Sequence, residues 1–89
     1  MVRMVFEPAA EEELARLQHD RGQRVLYERV NDALDWLEDD PADPRVRRRQ
    51  YQDPKLWGIV VRAPDEDWLI LWDLAEGDLI TIFYIGPDL

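Results

Sequence analysis

The sequence predicts an α+β domain: an N-terminal strand, a two-helix hairpin and then a four-strand meander, with the helices packed on a mainly antiparallel twisted sheet. Three observations predict it. Between Ala10 and Leu37 apolar residues recur at three- and four-residue spacing, the period of a helix. After Pro44 the pattern turns to short strand-like runs, and clusters of Asp, Pro and Gly separate them. Eighty-nine residues suffice for a single domain, 1–89, and the chain carries no internal repeat and no linker long enough to divide it.

Val2 to Phe6 is a short apolar segment broken by Arg3, suited to a strand, and Glu7-Pro8 punctuates its end. Pro8 fits the first turn of a helix, where its missing N–H costs nothing, and Glu11, Glu12 and Glu13 sit where the positive end of the helix dipole favours them. Ala10, Leu14 and Leu17 supply its apolar stripe, and Gly22 offers a break. Val25, Leu26, Val30, Ala33, Leu34 and Leu37 then mark a second, stronger amphipathic helix. Asp40-Pro41 and Asp43-Pro44 stop it, because proline cannot continue the ladder and disfavours helix in the residue before it. Strands are expected at Arg45 to Tyr51, Leu56 to Arg62, Trp68 to Leu74 and Leu79 to Ile85. The turns between them fall at Asp53-Pro54, at Pro64 to Asp67 and at Glu76-Gly77-Asp78. The expected core sets Val25, Leu26, Val30, Leu34 and Leu37 against Trp57, Ile70, Leu71, Ile82 and Phe83.

The chain has no cysteine, which removes disulfides and thiolate metal sites. No apolar run is long enough to span a bilayer, and Arg3 interrupts Met1 to Phe6, so the expectation is a cytoplasmic protein without a membrane association. The carboxylate runs Glu11 to Glu13, Glu38 to Asp40 and Asp65 to Asp67 lack calcium-loop spacing, and His19 stands alone beside Asp20. No metal and no cofactor is expected. The four tryptophans, Trp36, Trp57, Trp68 and Trp72, occupy apolar positions and read as core residues before base-stacking platforms.

Charge is the more informative signal. The formal net charge is -9, yet Arg45, Arg47, Arg48 and Arg49 stand within five residues of one another. A basic patch draws a polyanion while the acidic remainder repels it elsewhere, so any nucleic-acid contact must be local. The alternative reading is a basic strand edge whose arginines pair with neighbouring carboxylates and deter aggregation.

The element order, together with Val5 to Leu14, Ala33 to Leu37 near Asp40-Pro41, the basic strand leading to Leu56-Trp57-Gly58, Arg62, and Tyr84-Ile85-Gly86, resembles the RelE/ParE superfamily of bacterial type II toxins. The resemblance covers essentially the whole chain. It implies a RelE/ParE-like fold, a cognate antitoxin as partner and, in the nuclease branch, the ribosome and mRNA as targets. That branch cleaves mRNA by attack of a ribose 2′-hydroxyl on the adjacent phosphate. Carried onto this sequence, it makes Arg48, Arg62 and Tyr84 the candidate catalytic residues and Arg45, Arg47 and Arg49 the candidate RNA-binding residues. Arginine suits phosphate clamping and not proton abstraction. Leu69 or its neighbour stands where the family commonly has another arginine, and Pro87 and Asp88 stand where a basic or histidine residue follows the glycine. Two further classes therefore stay open: a non-catalytic protein-binding module that keeps the toxin fold, and a gyrase-directed toxin. If Arg45 to Tyr51 is a strand, alternation puts Arg47 and Arg49 on one side and Arg48 on the other, and Arg48 is the one expected to share a face with Arg62.

Overall fold

The computed structural model describes residues 2–52, 55–76 and 78–88. Asp53, Pro54 and Gly77, read from the sequence as turn residues, lie outside the described residues. Two helices pack on one face of a five-stranded mixed sheet with strand order β1-β5-β4-β3-β2. The strands are β1 (Arg3–Phe6), β2 (Arg49–Gln52), β3 (Lys55–Val61), β4 (Trp68–Ala75) and β5 (Leu79–Pro87). β1 runs parallel to β5, from Arg3 opposite Leu79 to Phe6 opposite Ile82, and every other pairing is antiparallel.

Helix α1 (Pro8–His19) starts with Pro8 in its first turn and buries Ala10 and Leu17. Its end is set by Asp20, whose carboxylate accepts the Gly22 N–H at 3.0 Å and opens a single 3₁₀ turn, Arg21–Gln23. Helix α2 (Arg24–Asp39) buries Leu26, Val30, Ala33, Leu34 and Leu37 along one stripe. Val25, expected in that stripe, is 49% exposed. It sits about 100° round the helix from Leu26 and shares a flank with Arg29, Asp32 and Trp36, four, seven and eleven residues on.

Opposite the helices, Ile59, Ile70, Trp72, Ile80 and Ile82 are fully buried, with Val61, Trp68 and Ile85 nearly so. Two expected core residues depart from this layer. Leu71 alternates with the buried Ile70 and Trp72, so it is half-buried on the face turned away from the helices. Phe83 is 40% exposed because the β4–β5 register shifts there: Leu71 opposes Tyr84 while Trp72 opposes Ile82, leaving Phe83 as the extra residue of a bulge. The same bulge resets the alternation of β5, sending Ile85 into the core and Tyr84 to the helix-free face.

The expected strand at Arg45 to Tyr51 forms only from Arg49. Asp43 accepts the Arg45 N–H at 2.8 Å and Pro44 occupies the first position of a 3₁₀ turn, Pro44–Val46. The Asp-Pro pair that stops α2 thus also starts the next turn, as an N-cap followed by a proline whose φ is already helical. That turn drives Val46 into the core, where its carbonyl accepts the Trp72 indole N–H at 2.8 Å.

Candidate functional site

The turn scatters the arginine cluster instead of alternating it across a strand. Arg47 follows the buried Val46, and its guanidinium lies 4.7 Å from the centre of the Trp57 ring and 5.7 Å from that of Trp72. Its Nε donates to the Pro41 carbonyl at 2.7 Å, so this arginine braces the Asp40–Val46 connection against the sheet. Arg45 extends outward over Trp36, 4.4 Å from the ring centre, and its Nε and Nη2 donate to both oxygens of Asp43. Those bonds hold the Arg45 pKa above and the Asp43 pKa below their ordinary values.

Arg48 and Arg62 fall at one site. Together with Arg45, Trp36 and Val60 they line a depression where the end of β3 passes α2. Arg48 is exposed, and Arg62 is 72% exposed in its side chain with Nη1 donating to Asp67 at 3.1 Å. An adjoining groove runs along α2 and is lined by Arg29, Asp32, Ala33, Trp36, Val60 and Val61 with Arg62. Arg29 is an exposed residue of α2. Its Nη1 donates to the Arg62 carbonyl at 2.8 Å, which ties the helix to the sheet edge. The spacing of Val25, Arg29, Asp32 and Trp36 was the signal for this flank, hidden beside the stronger apolar stripe.

Arg49 and Tyr84 lie elsewhere, on the helix-free face. A Cβ placed on Gly58 would stand 3.2 Å from the Arg49 Cβ and 3.3 Å from Leu69 and Tyr51, which fixes all of these on one side of the sheet. Across that side Arg49 opposes Gly58, Gly58 opposes Leu71 and Leu71 opposes Tyr84. Arg49 spans toward the far end through an ion pair with Asp88 at 2.7 Å, and this bond, with a smaller contribution from the nearby Tyr51 hydroxyl, raises its pKa. The Tyr84 ring covers Gly86, and its hydroxyl donates to the Pro87 carbonyl at 2.9 Å. Burial raises the phenol pKa, and the negative charges of Glu13, Asp88 and Glu66 raise it further.

The six residues chosen from the sequence therefore fall into three places. Arg45, Arg48 and Arg62 converge at the end of β3; Arg49 and Tyr84 occupy the opposite sheet face; Arg47 is half-buried against tryptophan rings. Comparison with protein families, with curated proteins and with solved structures finds no match to this chain. Among the described residues no group of His, Asp and Glu is placed to hold a metal ion, and no helix is long and apolar enough to cross a membrane.

Proposed function

We propose that the chain is a toxin-like component of a type II toxin–antitoxin pair, acting in the cytoplasm, and that its depression at the end of β3 binds the phosphate backbone of RNA. The observation that carries this reading is the convergence of Arg45, Arg48 and Arg62 beside Trp36 in a chain of net charge -9. Guanidinium groups present planar forks that match phosphate oxygens, and the acidic remainder orients a polyanion toward them. Trp36 adds an aromatic face on which a base can stack once Arg45 moves aside. In the nuclease form of this reading the substrate is mRNA on the ribosome, Arg48 and Arg62 stabilise the phosphorane, and the partner is a cognate antitoxin.

A second reading, a protein-binding module that keeps the toxin fold without cleavage, is favoured by Tyr84. Its hydroxyl is engaged with Pro87, its raised pKa disfavours the phenolate, and it projects from the helix-free face. None of these properties suits a group that takes a proton from a ribose hydroxyl. The test is cleavage of a defined mRNA in a translating extract, with wild-type protein and with Arg48→Ala/Arg62→Ala. Wild-type cleavage lost in the double variant supports the nuclease; cleavage that persists in the variant sinks the assigned site. A wild-type protein that cuts nothing but forms a stable complex with a partner protein leaves the protein-binding module.

A further inference from the structure

We propose that the groove along α2 and the depression at the end of β3 together take one guanine nucleotide, its base beside Asp32 and Trp36 and its phosphate among the arginines. The inference rests on the phosphate-binding reading of that depression and needs no cleavage.

The two hollows adjoin. Trp36, Val60 and Arg62 line both, so a ligand seated in one continues into the other. Their charges differ. Arg29 and Asp32 line the groove and not the depression, whereas Arg45 and Arg48 line the depression and not the groove. The combined site therefore offers a carboxylate at one end and a cluster of guanidinium groups at the other. A run of phosphates along its whole length would be repelled at the Asp32 end. What fits is a ligand with neutral hydrogen-bond donors at one end and negative charge at the other.

Residue spacing selects the base. Arg29, Asp32 and Trp36 follow one another at three- and four-residue intervals, so they share one flank of α2. The Arg29 Nη1 donates to the Arg62 carbonyl at 2.8 Å, which holds the guanidinium beside the groove and leaves others of its five N–H groups for a ligand. Among the described residues Asp32 forms no ion pair, so its carboxylate is an acceptor without a charged partner. A donor beside a carboxylate complements the guanine Watson–Crick edge, which presents the O6 acceptor and then the N1 and N2 donors. Adenine reverses that order and sets a ring-nitrogen acceptor against the carboxylate. Cytosine and uracil offer the carboxylate a single donor.

Trp36 supplies the stacking surface. Arg45 lies 4.4 Å from the ring centre but lines only the depression, so it leaves the groove side of the indole open to a base. The groove, about 280 Å³, lies just below the range of drug-sized sites, roughly 300–1,000 Å³, and suits a base with its sugar.

The probes are guanosine, inosine and adenosine monophosphates, ε-aminocaproate as a zwitterion without a base, and short oligouridine with or without one central guanosine. Binding is followed by NMR at the Trp36 indole N–H, assigned with Trp36→Phe. Guanosine monophosphate should bind about tenfold more tightly than the adenosine form, with inosine, which lacks the N2 donor, between them. Asp32→Asn decides the matter because its two effects have opposite signs. Removing a negative charge strengthens the binding of any anion, whereas losing the paired acceptor weakens guanine alone. Asp32 is exposed, so the substitution leaves the fold intact. The variant should lose about tenfold for guanosine monophosphate and nothing for adenosine monophosphate. Equal strengthening of all three monophosphates, no preference for guanine in the wild type, or ε-aminocaproate binding as tightly as guanosine monophosphate overturns the inference. Oligouridine binding without any such preference also overturns it, and leaves the RNA reading standing. A guanine preference shared by the monophosphate and the oligonucleotide assigns the site to guanosine within RNA. The same preference without binding of either oligonucleotide sustains the inference for the free nucleotide and counts against the RNA reading.

Discussion

Arg47 and Arg48 are neighbours in sequence and opposites in energetics. Arg47 stacks on two tryptophans and donates to a backbone carbonyl, whereas Arg48 extends into solvent at the rim of the depression. A desolvated cation–π contact contributes about 1–2 kcal/mol, and the bond to Pro41 adds to it. Arg47→Ala should therefore destabilise by about 1.5–3 kcal/mol in urea unfolding, while Arg48→Ala stays within about 0.5 kcal/mol. Equal losses in the two variants would show that Arg47 does not hold the Asp40–Val46 connection. The pairing also explains why Trp72 sits at the centre of the molecule: its ring stacks on Trp57 and its indole N–H meets the buried Val46.

At the scale of elements, α2 is defined by which flank is buried. Leu37 is fully buried and Val25 half exposed, although both are apolar residues of one helix. Leu37→Ala should cost about 2–5 kcal/mol, and Val25→Ala less than about 1 kcal/mol. A comparable loss at both positions would mean that the helix is rotated from the orientation described. The two helices and the succession of helices and strands along the chain were legible because periods of 3.6 and 2 survive in the residues themselves, whereas the parallel pairing of β1 with β5 was not. What was not legible came from single-residue interruptions. Phe83 reads as one more apolar strand residue, and only pairing with Leu71 and Trp72 reveals the bulge that turns it outward. Asp43-Pro44 carries two meanings, the end of one helix and the cap of the next turn, and the second removed Arg45 to Arg48 from the expected strand. Arg48 and Arg62 line one depression, but the strand alternation invoked for this does not exist, and the turn that brings it about was not legible. Arg29 and Trp36 share a helical flank with Val25 and Asp32, a spacing present in the sequence but overshadowed by the stronger apolar stripe of α2.

For the whole molecule, net charge and local ion pairs make opposite demands on salt. A charge of -9 on a body measuring 37 × 22 × 21 Å repels itself across its full width when the Debye length is about 30 Å, as at 0.01 M salt. At 0.15 M that length falls to about 8 Å, and most of the repulsion is screened. The ion pairs of Arg16 with Glu13, Arg24 with Glu28, Arg45 with Asp43, Arg49 with Asp88 and Arg62 with Asp67 would weaken under the same change. All involve exposed arginines, and such pairs contribute only about 0–1 kcal/mol each. Self-repulsion therefore wins, and thermal stability should rise by a few degrees between 0.01 and 0.15 M sodium chloride. Binding of an anionic partner at Arg48 and Arg62 should weaken over the same interval, because those contacts are screened without a compensating gain. Calorimetry and anisotropy on one preparation read both slopes. A melting temperature that falls with salt would show that the ion pairs outweigh the net charge, and that the arginines at the end of β3 are committed to their own carboxylates before any partner arrives.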